Sequence, residues 1–461
     1  MAIAQQEDSK NKTQLKRVMG PGLLLLFIIG DVLGTGIYAL TGEVAAEVGG
    51  VVWLPFLIAF VVAILTACSY LELVTKYPKA AGAALYTHKA FGIHFVTFLV
   101  AFAVMSSGIT SAATASRAFA ANFATSFGFE SGAWGVPLIA SLFIALVALV
   151  NLRGVSESVK MNVVLTLVEL SGLLIIIAIG AWAIARGQGD VSRAWSFEAP
   201  GERGMVWGVI AATTLAFFAM VGFEDSVNMA EETKDPSRMF PKVLLTGLGI
   251  TGAIYVLVSI SAITLVPAAE LGEGETPLLK VVQAGAPAFP VSIFGIITMF
   301  AVANSALINM LMASRLIYGM SRETVLPSIF GHVHGERRTP DVAIIFTTIL
   351  AVALILFAGG VPELGGTTSL LLLCVFTVVN IAVLVLRRDQ VSHKHFRTPT
   401  PLPVLGAICC AFLAGPWTGR DPIQYAIGAS LIGLGVVLWL ATVTFMKRSG
   451  KEAAQSPTET D

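Results

Sequence analysis

Long apolar runs recur along the whole length of this 461-residue chain. An α-helix needs about 20 apolar residues to cross the roughly 30 Å hydrocarbon core of a bilayer. Twelve runs meet this requirement, and we number them as spans one to twelve: 20–45, 51–75, 94–121, 135–152, 160–184, 205–229, 243–266, 289–318, 341–358, 367–386, 402–418 and 423–446. They predict an all-α integral membrane protein with twelve transmembrane helices.

The composition agrees with a protein whose surroundings are a lipid bilayer. Hydrophobic residues make up 56% of the chain and charged residues 13%, against about 25% charged residues in a soluble domain. A β-barrel is excluded, because its segments are short and alternate apolar with polar residues. The formal net charge of zero gives no reason to expect a nucleic-acid partner, and no obligate protein partner is implied.

The positions of Lys and Arg predict how the chain is oriented. Most of the 29 basic residues fall in one alternating set of connections, and positive charge is retained on the cytoplasmic side during insertion. The opposite connections carry only a few: Arg186, Arg193, Arg203, Lys280 and Arg420. We therefore expect a multi-pass protein of the cell membrane whose polar tails, 1–19 and 447–461, are both cytoplasmic.

Two spans contain polar, glycine-bearing interruptions. Span one has GDVLGTGIY at 30–38, and span six has FFAMVGFED at 217–225. We expect both helices to unwind there, although close helix packing is an alternative use of such glycines. Unwinding leaves backbone groups unpaired at a cost of several kcal/mol each, so protein, water or a ligand must satisfy them.

The interruptions lie at matching positions, because spans one and six open the two halves of a five-plus-five arrangement. Matched interruptions are the sequence sign of an inverted-repeat transporter. We predict a first repeat at 20–184, a second repeat at 205–388 and two additional helices at 402–446. The substrate site is expected between the two interrupted spans.

The interrupted spans also suggest what kind of molecule binds. A half-helix that starts near Gly36 points free N–H groups and a positive end at the gap, which suits a carboxylate. Exposed carbonyls from both interruptions suit an ammonium group. Donors at one place and acceptors at another match the zwitterionic head of an amino acid, whereas a polyamine would use only the acceptors.

Other chemistry is not indicated by the sequence. It contains no HExxH motif and no GxxxxGK[ST] phosphate loop, so we expect neither an enzyme nor a nucleotide-driven pump. The four cysteines lie inside predicted spans without metal-ligand spacing and are expected to be free thiols: Cys68, Cys374, Cys409 and Cys410. No metal or cofactor is expected, and an ion or substrate gradient must supply the energy.

Four ordered motifs give the chain a family resemblance. They are GDVLGTGIYALTGEVA, SYLELVTKYPKAAGAALYTHKAFG, FFAMVGFEDSVNMAEETKDPSRMFPK and SRLIYGMSRETVLP. The chain resembles the amino acid–polyamine–organocation superfamily, and within it looks most like the cationic amino acid transporter branch and its bacterial relatives. The resemblance implies a LeuT-like core of two inverted repeats plus two helices, alternating access, and proton-coupled uptake or exchange of amino acids.

The resemblance also implies which residues bind the substrate. It assigns the α-carboxylate and part of the amino group to four positions in span one: Val32, Gly34, Thr35 and Gly36. Carbonyls of Phe218, Ala219 and Val221 would complete the ammonium site, with Phe218 acting as an aromatic gate. Glu224 stands where relatives have Asp or Glu close to the site, so it is expected to bind a cationic side chain or to respond to protonation. The alternative is a structural role, in which the buried acid only holds the helix in place.

Span five departs from the family pattern at Glu169, because related proton-coupled members can carry a Lys there. A carboxyl at bilayer depth is expensive when ionised. We therefore expect Glu169 to alternate between protonated and ionised forms and to couple proton flux to transport. The alternative is that it stays protonated and only donates a hydrogen bond between helices.

Three further polar residues are candidate contacts. Asp31 is a second departure from the family pattern and is expected to contact a cationic substrate or a coupling ion, with a cytosolic-side salt bridge as the alternative. Ser107 lies on a polar face of span three, where hydroxyls usually bond back to their own helix. Ser305 in span eight is a candidate contact of a sodium site, so sodium is an alternative to the proton as the coupling ion.

The sequence thus predicts a secondary active transporter for a cationic or neutral α-amino acid, driven by a proton gradient. Amino acid/amine exchange, polyamine import and a nutrient sensor without transport remain alternatives.

Overall fold

The computed structural model describes residues 19–78, 82–129, 132, 134–153, 158–198, 204–323, 325–335, 337 and 339–448. Of the predicted tails, only Met19 and residues 447–448 belong to this described part. Regular structure there consists of helices, short 3-10 turns and two isolated β-bridges.

The α-helices follow one another from end to end of the described chain. In order they are α1 Pro21–Val32, α2 Thr35–Val48, α3 Trp53–Lys76, α4 Gly82–Phe91, α5 His94–Phe127, α6 Gly135–Arg153, α7 Ser158–Ala185, α8 Met205–Ala216, α9 Pro236–Leu265, α10 Ala268–Leu271, α11 Pro277–Gly285, α12 Val291–Arg322, α13 Asp341–Phe357, α14 Val361–Leu386, α15 Pro401–Ala414 and α16 Pro422–Arg448. The 3-10 turns are Val191–Trp195, Phe217–Met220, Asp225–Glu232, Ser328–Gly331 and Pro416–Thr418.

Ten helices in the described part of the chain are long and apolar enough to cross a membrane. One of them is α1 with α2, and another is α8 with the 3-10 turns that follow it. Predicted spans nine and eleven coincide with α13 and α15, apolar helices of 17 and 14 residues that fall short of that length. The chain is a multi-pass α-helical membrane protein.

Several boundaries differ from the prediction. Helix α5 extends to Phe127, well past the predicted end of span three, and α9 begins at Pro236, seven residues before span seven. The apolar run marks only the part of a helix that lies in hydrocarbon, whereas proline at the first helical position marks its actual start. The short helices α4, α10 and α11 were not predicted, because they are too short to show as apolar runs.

Helix α1 packs closely against its neighbours through small residues. A Cβ added to Gly30 would lie 2.8 Å from Cβ of Thr166 on α7, and one added to Gly247 of α9 would lie 2.9 Å from Cγ2 of Ile28. Glycine at such contacts lets helix backbones approach where lipid gives no hydrophobic drive for association. These contacts hold the first interrupted helix between α7 and α9.

A buried ion pair joins the ends of α3 and α14. The Arg387 guanidinium donates to both carboxylate oxygens of Glu72, from Nε at 2.9 Å and from an Nη at 2.8 Å. The Thr398 backbone N–H donates to the same carboxylate at 2.9 Å, and the Lys76 ammonium donates to the Leu386 carbonyl at 2.6 Å. The Glu72 side chain is only 2% exposed, so these partners, rather than water, stabilise its negative charge.

We predict that Glu72→Ala strongly lowers the thermal-inactivation temperature of the detergent-solubilised protein. Removing one partner of a buried pair leaves an unpaired charge, at a cost of about 3–5 kcal/mol. Asp235→Asn is the control, because the Asp235–Arg238 pair is exposed and such pairs contribute about 0–1 kcal/mol. Equal inactivation temperatures for the two variants would contradict this account.

Candidate functional site

The first interrupted helix breaks between α1 and α2. Helix α1 ends at Val32, the Gly34 N–H bonds to the Val32 carbonyl at 2.8 Å, and α2 begins at Thr35. The hydroxyl of Tyr255 on α9 also donates to the Val32 carbonyl. The break therefore lies within the predicted stretch, and α2 directs its N-terminal N–H groups into it.

The second break follows α8 and has a different shape. A 3-10 turn runs over Phe217–Met220, Val221 is extended, and Gly222 has a φ of +122°. Residues other than glycine rarely adopt this backbone conformation. The chain continues through another 3-10 turn from Asp225 to Glu232 rather than resuming an α-helix at once.

The two breaks contact each other directly. A Cβ added to Gly36 would lie 2.6 Å from Cβ of Ala219, and one added to Gly222 would lie 2.6 Å from the carbonyl oxygen of Asp31. Each glycine thus allows the backbone of one break to reach the other. The contact requires residues without a side chain at both places.

A small cavity, which we call the central cavity, lies at this contact. Its walls come from both breaks and from α5 and α12: Asp31, Val32, Gly34, Thr35, Gly36, Ser111, Phe218, Val221, Gly222, Asp225, Ser305 and Asn309. Most of the residues predicted to bind substrate are brought together here.

A second small cavity adjoins the central one and shares Val221, Asp225 and Asn309 with it. It lies further toward the ends of α5 and α12 at His94 and Arg322, the side predicted to be cytoplasmic. Its remaining walls are mainly apolar: Val104, Ser107, Gly108, Glu224, Met312, Ala313, Leu316 and Leu372.

Other predicted residues lie beside the central cavity rather than on it. Ala219 lies behind it against Gly36. Ser107 lines the second cavity, but its hydroxyl donates to the Val104 carbonyl of its own helix at 2.7 Å. Glu224 also lines the second cavity and accepts a bond from the Gly222 N–H at 2.9 Å, which fixes the second break.

Glu169 lies on α7 behind the first break and lines neither cavity. It is fully buried, and neither carboxyl oxygen has a hydrogen-bond partner in the part of the chain described. Its polar neighbours include the Asn304 amide, the Asp31 carboxyl and the hydroxyls of Tyr38 and Tyr255. Its backbone carbonyl accepts a bond from the Tyr38 hydroxyl of α2 at 2.6 Å, so it is tied to the half-helix that borders the cavity.

Asp31 faces acids rather than bases. Its neighbours include Asp225 and Glu224, and among the described residues no ion pair involves it. Its Oδ2 is buried without a hydrogen-bond partner, as are the hydroxyls of Thr35 and Ser305 within the described chain. Unsatisfied buried polar groups that line one cavity indicate a place for a ligand.

Sequence reasoning did not assign Asn309, Gly222 or Asp225 to the site. Asn309 was detectable in principle, because it lies one helical turn after Ser305 and therefore on the same face of α12. Asp225 follows Glu224 directly, and the sequence could not tell which of the two faces the central cavity.

The end of the molecule opposite the second cavity is tightly packed. Arg117 of α5 forms an ion pair with Glu275 at 3.7 Å and donates to the Ile355 carbonyl at 3.1 Å. Burial raises the pKa of the Glu275 carboxyl, and the Arg117 guanidinium partly opposes this shift. A Cβ on Gly42 of α2 would collide with the Leu271 carbonyl at the end of α10.

We predict that Gly36→Ala abolishes substrate uptake while the protein still inserts and elutes as a single species. The added Cβ would separate the two breaks at Ala219 and disturb the donors of α2. Gly249→Ala in α9 is the matched control, because a Cβ there meets nothing within 4 Å. If both variants transport at the wild-type rate in proteoliposomes, the contact between the breaks is not required.

Comparison with known sequences identifies similar proteins. The family profile described as amino acid permease matches residues 23–443. The methylthioribose transporter of Bacillus subtilis is 28% identical, covering 95% of this chain and 94% of that protein. A branched-chain amino acid permease of the same organism is 26% identical over 88% and 89%. The chloroplastic cationic amino acid transporter 9 of Arabidopsis thaliana is 30% identical over 71% of this chain and 59% of its own length.

Proposed function

The chain belongs to the amino acid permease family, and on that premise we propose that it is a secondary active transporter, driven by protons, for a cationic or neutral α-amino acid. The observation that carries this proposal is the central cavity, where two interrupted helices meet. On this proposal, the start of α2 supplies backbone donors at one side of the cavity, and carbonyls of the second break together with carboxyl groups supply acceptors at the other, as an amino acid's head group requires.

The α-carboxylate is proposed to bind the N–H groups at the start of α2, from Gly34 to Gly36. The N–H groups of Thr35 and Gly36 have no partner within their own helix, whereas that of Gly34 already bonds to the Val32 carbonyl at 2.8 Å. The helix dipole favours an anion at this end of α2. The α-ammonium is proposed to bind carbonyls of the second break at Phe218, Ala219 and Val221, with Phe218 as the gate. A polyamine would leave the α2 donors unsatisfied, which argues against polyamine import.

The proposed architecture has twelve spans, with inverted repeats at 20–184 and 205–388 and two further helices at 402–446. The matched breaks support this division. Both termini are proposed to be cytoplasmic and the protein to lie in the cell membrane. The second cavity would then be the release path to the cytoplasm, and the packing around Arg117 would keep the outer side closed.

Glu169 is proposed to carry the coupling proton. An ionised carboxylate without partners is costly at bilayer depth, so its charge state affects the energy of the surrounding packing. The Tyr38 hydroxyl of α2 bonds to α7 at the Glu169 carbonyl. Asn304 of α12 accepts from Asn162 of α7 and donates to the Gly30 carbonyl of α1. Because α7 is thus linked to both halves of the first interrupted helix, loss or gain of the Glu169 proton is proposed to act on the break. The substrate and the proton would thus favour the same conformation.

The test is uptake of radiolabelled arginine and alanine into sodium-free proteoliposomes, with and without an inward proton gradient. We expect gradient-driven accumulation by the wild type. Glu169→Gln is expected to retain exchange of internal for external substrate but to lose accumulation, because the amide cannot release a proton. Glu198→Gln, at an exposed position outside the spans, should behave as the wild type.

Wild-type-like accumulation by Glu169→Gln would overturn the assigned role of Glu169. Uptake only against preloaded substrate in the wild type would make the protein an exchanger, and binding without flux would make it a sensor.

A further inference from the structure

We propose that Arg420 is the positioning residue of an outer gate, which we define as the contact of Phe218 with Gly365 near the start of α14. Through its hydrogen bonds to α14, Arg420 holds this contact closed and so shuts the central cavity to the outer side. The inference rests on the proposed function, in which Phe218 is the gate, and extends it to a residue that lines neither cavity.

Arg420 is a buried cation in the connection between α15 and α16. It is 6% exposed, and among the described residues it forms no ion pair. Burial lowers the pKa of its guanidinium to about 10, so the group still carries its charge at neutral pH. A buried charge without a counter-ion is costly unless its N–H groups are hydrogen-bonded. The partners of the guanidinium therefore decide what this charge does in the fold.

The guanidinium joins α14, α15 and α16. Its Nε donates to the Leu413 carbonyl of α15 at 3.0 Å. One Nη donates to the Gly366 carbonyl of α14 at 3.0 Å and to the Gln424 side-chain oxygen of α16 at 3.1 Å, and the other donates to the Ser369 hydroxyl of α14 at 3.0 Å. Hydrogen bonds from an ionised donor are stronger than neutral ones, so they fasten the start of α14 to the last two helices.

The start of α14 also packs directly between α16 and the gate. A Cβ added to Gly366 would lie 2.3 Å from Cδ of Gln424 on α16. One added to Gly365 would lie 3.4 Å from Cδ1 of Phe218 and 3.1 Å from Cδ1 of Leu40 on α2. The two adjacent glycines therefore let α14 approach the gate on one face and the Arg420 region on another.

A second link from Arg420 to the gate runs through Ser369. The Ser369 hydroxyl accepts from Arg420 and donates to the Thr214 carbonyl of α8 at 2.7 Å. Thr214 lies three residues before the 3-10 turn Phe217–Met220, which contains Phe218. Arg420 thus acts both on the α14 surface that Phe218 contacts and on the helix that leads into Phe218.

The position of this contact explains why it can close the outer path. Phe218 lines the central cavity, and Gly365 lies in the second turn of α14, which starts at Val361 on the side predicted to be outside. The contact therefore lies between the cavity and the outer end of α14. A path from outside must separate α14 from Phe218, and the bonds of Arg420 oppose that separation.

The experiment measures how often the central cavity is open to each side. In a background without the four native cysteines, Ser305→Cys would be labelled with a membrane-impermeant methanethiosulfonate in right-side-out and in inside-out vesicles. Arg420→Met removes the donors but keeps an apolar chain of similar length. We expect it to speed labelling from the outer side about 10-fold, as for the loss of a hydrogen bond to a charged group, without faster labelling from the cytoplasmic side.

Three further variants define the cause. Arg420→Lys keeps a charged donor and should return the outer labelling rate part of the way to that of the parent. Ser369→Ala leaves Arg420 in place but removes its link to α8, so we expect a smaller rise in the outer rate, which also tests the proposal if Arg420→Met does not insert. Tyr425→Phe is the matched control, because its hydroxyl bonds only within the same turn, to the Ala414 carbonyl at 3.0 Å, and it should label as the parent does.

Unchanged outer labelling in the Arg420→Met and Ser369→Ala variants that insert would overturn the role of Arg420. An equal rise from both sides would also overturn it, because general loosening of the fold rather than a gate would then be the cause. Uptake of arginine and alanine by the parent is measured separately. Outer labelling that depends on Arg420 in a protein that takes up no amino acid would refute the proposed function and leave the gate assignment standing.

Discussion

The structure depends on one contact, the direct packing of two interrupted helices against each other inside an apolar slab. Lipid cannot satisfy the backbone groups that an interruption frees, so protein must do so or leave them for a ligand. Gly36 and Gly222 permit the contact because any Cβ would meet the opposite break. Tyr255 satisfies the Val32 carbonyl from α9. The hydroxyls of Thr35 and Ser305, which have no partner among the described residues, line the central cavity, and a substrate can use such groups.

Charge is the second constraint, and it follows from the first. Four carboxyl groups, those of Asp31, Glu169, Glu224 and Asp225, lie around the breaks, and each interacts electrostatically with at least one of the others. Burial of several like charges is unfavourable unless cations accompany them. On the proposed function, the proton and the substrate are these cations. Their binding would then be linked, because each lowers the electrostatic cost that the other would otherwise meet.

The sequence predicted the helices and the breaks because their signals are local. Hydropathy marks each segment in hydrocarbon, and the glycines of 30–38 and 217–225 mark where the helical pattern fails. The sequence could not predict which residues distant in the chain pair with each other, such as Glu72 with Arg387 or Arg117 with Glu275. It also could not orient side chains within a break, since a 3-10 turn and an extended residue precede Glu224 and Asp225 and remove the helical phase. The cavity-lining position of Asp225 therefore required the structure.

The most direct test of the account asks whether the transported amino acid occupies the central cavity. Ser305 lines it with an unpartnered hydroxyl, so Ser305→Cys in a background without the four native cysteines places a small thiol there. The rate of its reaction with a membrane-permeant methanethiosulfonate would be measured with and without saturating substrate. The account predicts that substrate slows the reaction in proportion to its binding. A reaction rate that saturating substrate leaves unchanged would show that the amino acid binds elsewhere.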